Sequence, residues 1–245
     1  MNRIAFTVFG IEVAWYGLLV ATGMLLGVLL AQKRAIDEGF GEEAIFDIAI
    51  WAIPFGVLGA RLYYILFNWN YYVSEPMRML QFREGGLAIH GGIILGFIVG
   101  YLVCRRKGLP FWNMADITAP SFILGQAIGR WGNYFNQEAY GRPTDLPWAI
   151  TVNEVQVHPT FLYESIWNIL VMFFLLYYTP KKKVDGEVFW LYLILYSVGR
   201  FFIEGLRTDS LMIGPFRTAQ LISVAMIIGG LLAIKLFRLR ESNKN

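Results

Sequence analysis

The chain has 245 residues, of which 56% are hydrophobic and 16% charged, a balance too apolar for a soluble domain with a solvated surface and one that marks an integral membrane protein. The net charge of +3 is small and the basic residues fall in short clusters, which gives no stripe for binding nucleic acid. Cys104 is the single cysteine, so a disulfide framework and a thiolate metal cluster are excluded as well.

The first apolar run, Ile11 to Ala31, meets the roughly 20 residues a helix needs to cross hydrocarbon. Arg3 and the acidic Glu12 stand before its apolar stretch and "QKR" follows it, the reverse of a secretory leader, so a permanent span is expected. Further runs lie near residues 45–67, 86–104, 112–130, 160–178, 187–206 and 218–237. The fourth carries Asp116, Pro120 and Gln126, yet topology requires it. Lys33-Arg34, Arg105-Arg106-Lys107, Lys181-Lys182-Lys183 and the tail bases Lys235, Arg238, Arg240 and Lys244 share the cytoplasmic side only if a span separates residue 107 from residue 160. The expected fold is therefore an all-α integral membrane protein, a bundle of seven transmembrane helices with the N-terminus outside and the C-terminus cytoplasmic. Segments 68–85 and 131–159 are left as a small extracytoplasmic cap, with "WAITV" and "VQV" around "NE" predicting a short hairpin. Small-xxx-small spacings at Gly23 and Gly27, at Gly92, Gly96 and Gly100, and at Gly125 and Gly129 predict close helix packing. With no internal repeat, residues 1–245 read as one membrane domain.

Ionisable residues inside a span cost about 2.5 to 3.5 kcal/mol each at a helix centre, so they face the protein interior and are functional candidates. By depth, Tyr16 falls near the outer end of the first span, Arg61 in the outer half of the second, and His90 about a turn below the outer surface in the third. Arg130 ends the fourth, and "YSVGRFFIEGLRTD" puts Tyr196, Arg200, Glu204 and Arg207 in the outer half of the sixth. Their spacing predicts one continuous helical stripe. Ion pairs within the set are one reading: Glu204 with Arg200 or Arg207, and Glu138 with Arg130. The arginines nevertheless outnumber these carboxylates, and buried excess positive charge calls for an anion. Guanidinium forks bind phosphate bidentately, and a phospholipid head group is the anion of the outer leaflet. A lateral site for an anionic lipid is expected. His90 is either a hydrogen-bonding residue or a proton acceptor, with "GG" behind it leaving room for substrate, while His158 reads as a loop residue before the fifth span. There is no P-loop, HExxH, paired CxxC or GxSxG, which disfavours zinc and serine-acyl chemistry; no metal and no cofactor are expected.

The stretch "GRWGNYFNQEAYG" carries Gly129, Arg130, Gly132, Asn133, Asn136, Glu138 and Gly141 at the fixed positions of G-R-x-G-N-F-x-N-x-E-x-x-G, and so resembles the signature of the bacterial prolipoprotein diacylglyceryl transferases. Tyr134 replaces a phenylalanine there, and Ala219 stands where the family usually has a glycine before the glutamine. The likeness extends through "WYG" at 15–17, "HGG" at 90–92, "HPTFLYE" at 158–164 and "YSVGRFFIEGLRTD" at 196–209. The resemblance implies transfer of an sn-1,2-diacylglyceryl group from phosphatidylglycerol to the thiol of the lipobox cysteine of a preprolipoprotein, giving a thioether and glycerol phosphate. It implies a multi-pass protein of the bacterial cytoplasmic membrane with its site toward the outer leaflet. By the same resemblance His90 acts as base or positions the thiol, Arg130 holds the phosphate, and Arg200, oriented by Glu204, stabilises the departing charge. Tyr16, Asn133, Glu138 and Tyr196 would place the head group, with Arg61, Gly141 and Arg207 completing the substrate-binding set. Cys104 is excluded as nucleophile, since helical rise puts it roughly 20 Å from His90. A lipid or anion transporter is the competing reading, but it needs polar residues toward both faces. The inner halves of the spans offer only Asp47 and Asp116, and a purely structural scaffold leaves the excess arginine unexplained.

Overall fold

The structure is a computed structural model describing residues 3–81 and 85–243. Residues 82–84 of the first cap segment and Lys244 of the basic tail lie outside the described residues. Eight α-helices are present among those described: α1 Trp15–Asp37, α2 Ala44–Phe67, α3 Trp69–Ser74, α4 Ile89–Lys107, α5 Phe111–Asn136, α6 Thr160–Tyr178, α7 Glu187–Glu204 and α8 Thr218–Ser242. Six short strands pair as antiparallel hairpins: β1 Ile4–Val8 with β2 Ile11–Ala14, β3 Ile150–Val152 with β4 Val155–Val157, and β5 Met212–Ile213 with β6 Phe216–Arg217. The protein is mostly helical, and α1, α2, α4, α6 and α8 are long and apolar enough to cross a membrane. In α5 and α7 the ionisable residues Asp116, Arg130, Glu187, Arg200 and Glu204 interrupt the apolar sequence.

Two boundaries differ from the sequence expectation for physical reasons. Ile11–Ala14 is strand rather than span, because Phe9 and Gly10, both at positive φ, make a tight two-residue turn that folds it onto β1. At the other end of the signature, α5 runs on to Asn136, so residues 131–136 of the second cap segment are helical. The predicted hairpin is found at β3–β4, again with positive φ at both turn residues, Asn153 and Glu154.

The chain divides into two compact units, Gln32–Met114 and Met1–Ala31 with Ala115–Asn245. In the first, α2 and α4 pack antiparallel along their length. A Cβ on Gly59 would lie 2.5 Å from the Gly91 carbonyl oxygen, so the two backbones touch there. Lys107 at the end of α4 pairs with Asp47 near the start of α2 at 2.8 Å.

In the second unit, Gly23 of α1 lies against Gly125 of α5, where an added Cβ would meet the Gly125 carbonyl at 3.0 Å. The indole of Trp167 in α6 covers Gly199 of α7, where an added Cβ would fall 2.2 Å from the ring, and donates to the Leu195 carbonyl at 2.9 Å. Asp116 of α5, fully buried, accepts from the backbone N–H groups of Gly186 and Phe189, each at 2.9 Å. Those are unsatisfied donors at the start of α7, so a carboxylate from another helix caps it. Glu187 likewise accepts from the N–H groups of Lys183 and Val184 at 2.9 and 3.3 Å, and pairs with Arg238 of α8.

Candidate active site

The second unit brings the end of α5, the start of α6 and the end of α7 together around two buried carboxylates. Ridge spacing explains how: Gln126 and Arg130 stand one turn apart on α5, and Tyr192, Tyr196, Arg200 and Glu204 follow at four-residue intervals on α7. Facing pairs fix the register. Gln126 donates to the Tyr192 hydroxyl at 2.9 Å and Arg130 to the Tyr196 hydroxyl at 3.3 Å, so α5 and α7 run in parallel. Helix α6 runs against both, with Ser165 accepting from the Trp131 indole at 3.2 Å and donating to the Ala127 carbonyl at 3.0 Å.

Glu164 of α6, 4% exposed, lies between two guanidinium groups from different helices, Arg130 Nε at 2.6 Å and Arg200 Nη1 at 2.8 Å. Arg200 reaches Glu204 through Nη2 at 2.6 Å. Arg207 Nε lies 3.9 Å from the same Glu204 oxygen and, with Nη2, grips Asp209 bidentately at 2.9 and 2.8 Å. Those hydrogen bonds hold the Asp209 carboxyl below the usual carboxylate range, against the opposing effect of partial burial. The Oε2 atoms of Glu164 and Glu204 are buried and make no aligned hydrogen bond among the described residues, so charge proximity rather than directed bonding holds those contacts. Arg130 Nη1 carries no partner among the described residues.

This arrangement corrects the charge argument made from sequence. Arg130, Arg200 and Arg207 face Glu164, Glu204 and Asp209, three against three, so an excess of arginine is not what marks the site. Arg130 pairs with Glu164, while Glu138 instead accepts from the amides of Asn133 and Asn136 at 2.9 and 3.2 Å. Nor is the α7 stripe continuous to its end. The helix stops at Glu204, and Arg207 sits on the turn beyond it, bridged to Gly141. Glu164 was legible, being a carboxylate one turn into an apolar run, which is the criterion that singled out the arginines.

The other expected residues fall into three groups. Asn133 and Glu138, with Tyr134, Gln137, Thr151 and Phe161, line a cavity of about 290 Å³ at the end of α5. The Tyr16 ring lies on Gly132, where a Cβ would come within 2.5 Å of it. Gly141 donates to the His158 carbonyl at 3.0 Å, and a Cβ there would lie 2.6 Å from that of His158, so its smallness lets the chain after the signature pass between residues 158 and 206. His90 and Arg61 belong to the other unit. His90 is the second residue of α4, exposed, with its ring 6.1 Å from Tyr63. Arg61 is 3% exposed and donates to the carbonyls of Arg78, Met79, Gly85 and Gly86, which ties the cap segment to α2.

Arginines from two helices thus share one buried carboxylate in a mostly helical protein with several helices long and apolar enough to cross a membrane. The family model for prolipoprotein diacylglyceryl transferase matches residues 3–236. A curated phosphatidylglycerol–prolipoprotein diacylglyceryl transferase of Clostridioides difficile strain 630 is 52% identical over 100% of this chain and 98% of its own. One of Finegoldia magna is 51% identical over 95% and 94%, and one of Clostridium novyi 50% identical over 96% and 95%. The chain belongs to the prolipoprotein diacylglyceryl transferase family.

Proposed function

We infer that the protein transfers the diacylglyceryl group of phosphatidylglycerol to a prolipoprotein, the reaction for which its relatives are named. In the finer reading, the acceptor is the thiol of a lipobox cysteine. Its sulfur attacks the glycerol carbon that bears the phosphate ester; a C–S bond forms and the C–O bond breaks. Glycerol phosphate leaves with the electron pair, and the thiol proton passes to a base. His90 is the proposed acceptor of that proton or the group that positions the thiol.

The observation that carries the anion's place is the Arg130–Glu164–Arg200 bridge. A carboxylate between two guanidinium groups keeps both forks close together before substrate arrives. Preorganised donors stabilise developing charge without having to reorient during the reaction. Arg130 would hold the phosphate and Arg200 the charge that grows as it departs, with Glu204 fixing Arg200 from the far side. Asn133 and Glu138, on the cavity at the end of α5, place the polar head group together with Tyr16 and Tyr196.

The seven long helices read as seven spans, N-terminus outside, in the bacterial cytoplasmic membrane, with the site toward the outer leaflet. The basic clusters at 33–34, 105–107, 181–183 and 235–240 support that orientation. Asp47 and Asp116, the exceptions in the otherwise apolar inner halves, are engaged by Lys107 and by Lys182 with the α7 backbone, which favours transferase over transporter. The test is thioether formation on a lipobox peptide with phosphatidylglycerol as donor, for Arg130→Ala and separately His90→Asn. Each is expected to lose most activity. Full activity in both would overturn the site.

A further inference from the structure

One turn along the helices from the arginine bridge lies a second polar layer that none of the assigned roles uses. On α5 it is Gln126, four residues before Arg130; on α6 Asn168, four after Glu164; on α7 Tyr192, four before Tyr196. Because α6 runs against the other two, all three fall at one level, about 6 Å from the bridge by helical rise. Tyr192 and Asn168 are 7% and 1% exposed. Buried polar groups are ordinarily satisfied, yet Gln126 Oε1 and Asn168 Nδ2 are buried without a partner among the described residues.

The Gln126–Tyr192 contact of 2.9 Å uses one of the pair's three donor hydrogens and leaves two over in either orientation of the amide. If the amide nitrogen donates, its second hydrogen and the tyrosine hydrogen are left over. If the amide is turned, Tyr192 donates to Oε1 and both amide hydrogens are left over, which also removes the buried orphan acceptor. With Asn168 Nδ2 the layer therefore offers donors from at least two of its three residues. There is room beside it, since a Cβ on Gly129, between Gln126 and Arg130 on α5, would meet nothing within 4 Å.

We propose that the Gln126–Asn168–Tyr192 layer receives the two acyl-ester carbonyls of the diacylglyceryl group. The proposal rests on the transferase reading, with phosphate at the arginine bridge. In a glycerophospholipid the ester carbonyls lie a few bonds from the phosphate toward the hydrocarbon, and they accept hydrogen bonds without donating any. Donors at that remove, in an otherwise apolar zone, match an ester-linked lipid, whereas an ether-linked one lacks the carbonyls and offers only ether oxygens, weaker acceptors held closer to the glycerol. These are positioning residues for the donor lipid, and they discriminate the linkage of its chains.

The experiment uses the full chain in mixed micelles, a lipobox peptide as acceptor, and two donors of equal chain length: diacyl phosphatidylglycerol and its dialkyl-ether counterpart. At one hydrogen bond's worth of discrimination, the protein should show a KM about fivefold or more higher for the ether lipid. Tyr192→Phe and Gln126→Leu should each raise KM for the ester lipid by about the same factor while changing the ether lipid little, so that the preference collapses. A merely structural role would instead raise both KM values together or lower kcat for both, and that result overturns the proposal, as does a wild-type protein indifferent to the linkage. Should Tyr192→Phe fail to fold, Gln126→Leu alone decides. If wild type transfers from neither donor, the transferase reading itself fails.

Discussion

The second unit buries carboxylates at both ends of its α5–α6–α7 packing, and they are held in different ways. At the Asp116–Glu187 end, the carboxyl oxygens accept from backbone N–H groups of residues 183, 184, 186 and 189. At the Glu164–Glu204 end, the side chains meet only other side chains, and the Oε2 oxygens of both are without aligned hydrogen bonds among the described residues. A carboxylate bonded to backbone cannot change partners without undoing a helix terminus. One held by guanidinium groups alone can share them with an incoming phosphate. The kind of partner, more than the depth of burial, separates an anchor from a site.

That contrast is broken most directly at the arginine bridge. Arg130→Ala should lower transfer by about a hundredfold or more, as expected for loss of a preorganised charge donor, measured as thioether formed per unit of folded protein. Glu164→Gln should come next, with a drop of about tenfold, because the two guanidinium groups lose their common anchor. At the opposite end, Asp116→Ala should cost stability instead, about 3 kcal/mol for leaving Lys182 and two helix N–H groups without their carboxylate. Thermal unfolding in detergent reads that loss, and the folded fraction should keep its activity. A large fall in its activity would erase the distinction between the two ends.

The smallest effect is expected at Asp209. Its carboxyl is held low by Arg207, so the pair's contribution is complete above the unfolded value of about 3.9 and is lost only as pH falls through the depressed one. Between pH 8 and pH 5 this pair should therefore contribute no pH dependence. As a half-exposed pair it is worth no more than about 1 kcal/mol, so Asp209→Asn should shift the melting temperature only slightly.

Much of the helical framework was readable, because an apolar run of span length has few alternatives. Residues 160–178 and the β3–β4 hairpin were located from the sequence with little error. What failed was reading local chemistry as pairing. Ile11–Ala14 has the composition of a span, and only the Phe9-Gly10 turn makes it a strand. Glu138 is near Arg130 in sequence, yet Arg130 finds Glu164, 34 residues away, because α5 and α6 run antiparallel. Arg61 met every criterion for a site residue, and its use as a clamp on backbone carbonyls 17 to 25 residues away depends on a loop path that no periodicity encodes.

The Trp167–Gly199 contact has a consequence beyond packing. Gly199 precedes Arg200 in the chain, and Trp167 follows Glu164 by three residues, so the indole lies almost beneath the bridge those charges make. It works as a spacer of fixed thickness: the distance between α6 and α7 is set by an aromatic ring on bare backbone, and the charged groups above inherit that distance. A methyl group at residue 199, carrying no charge and touching no lipid, would act on the reaction as a change in gap width.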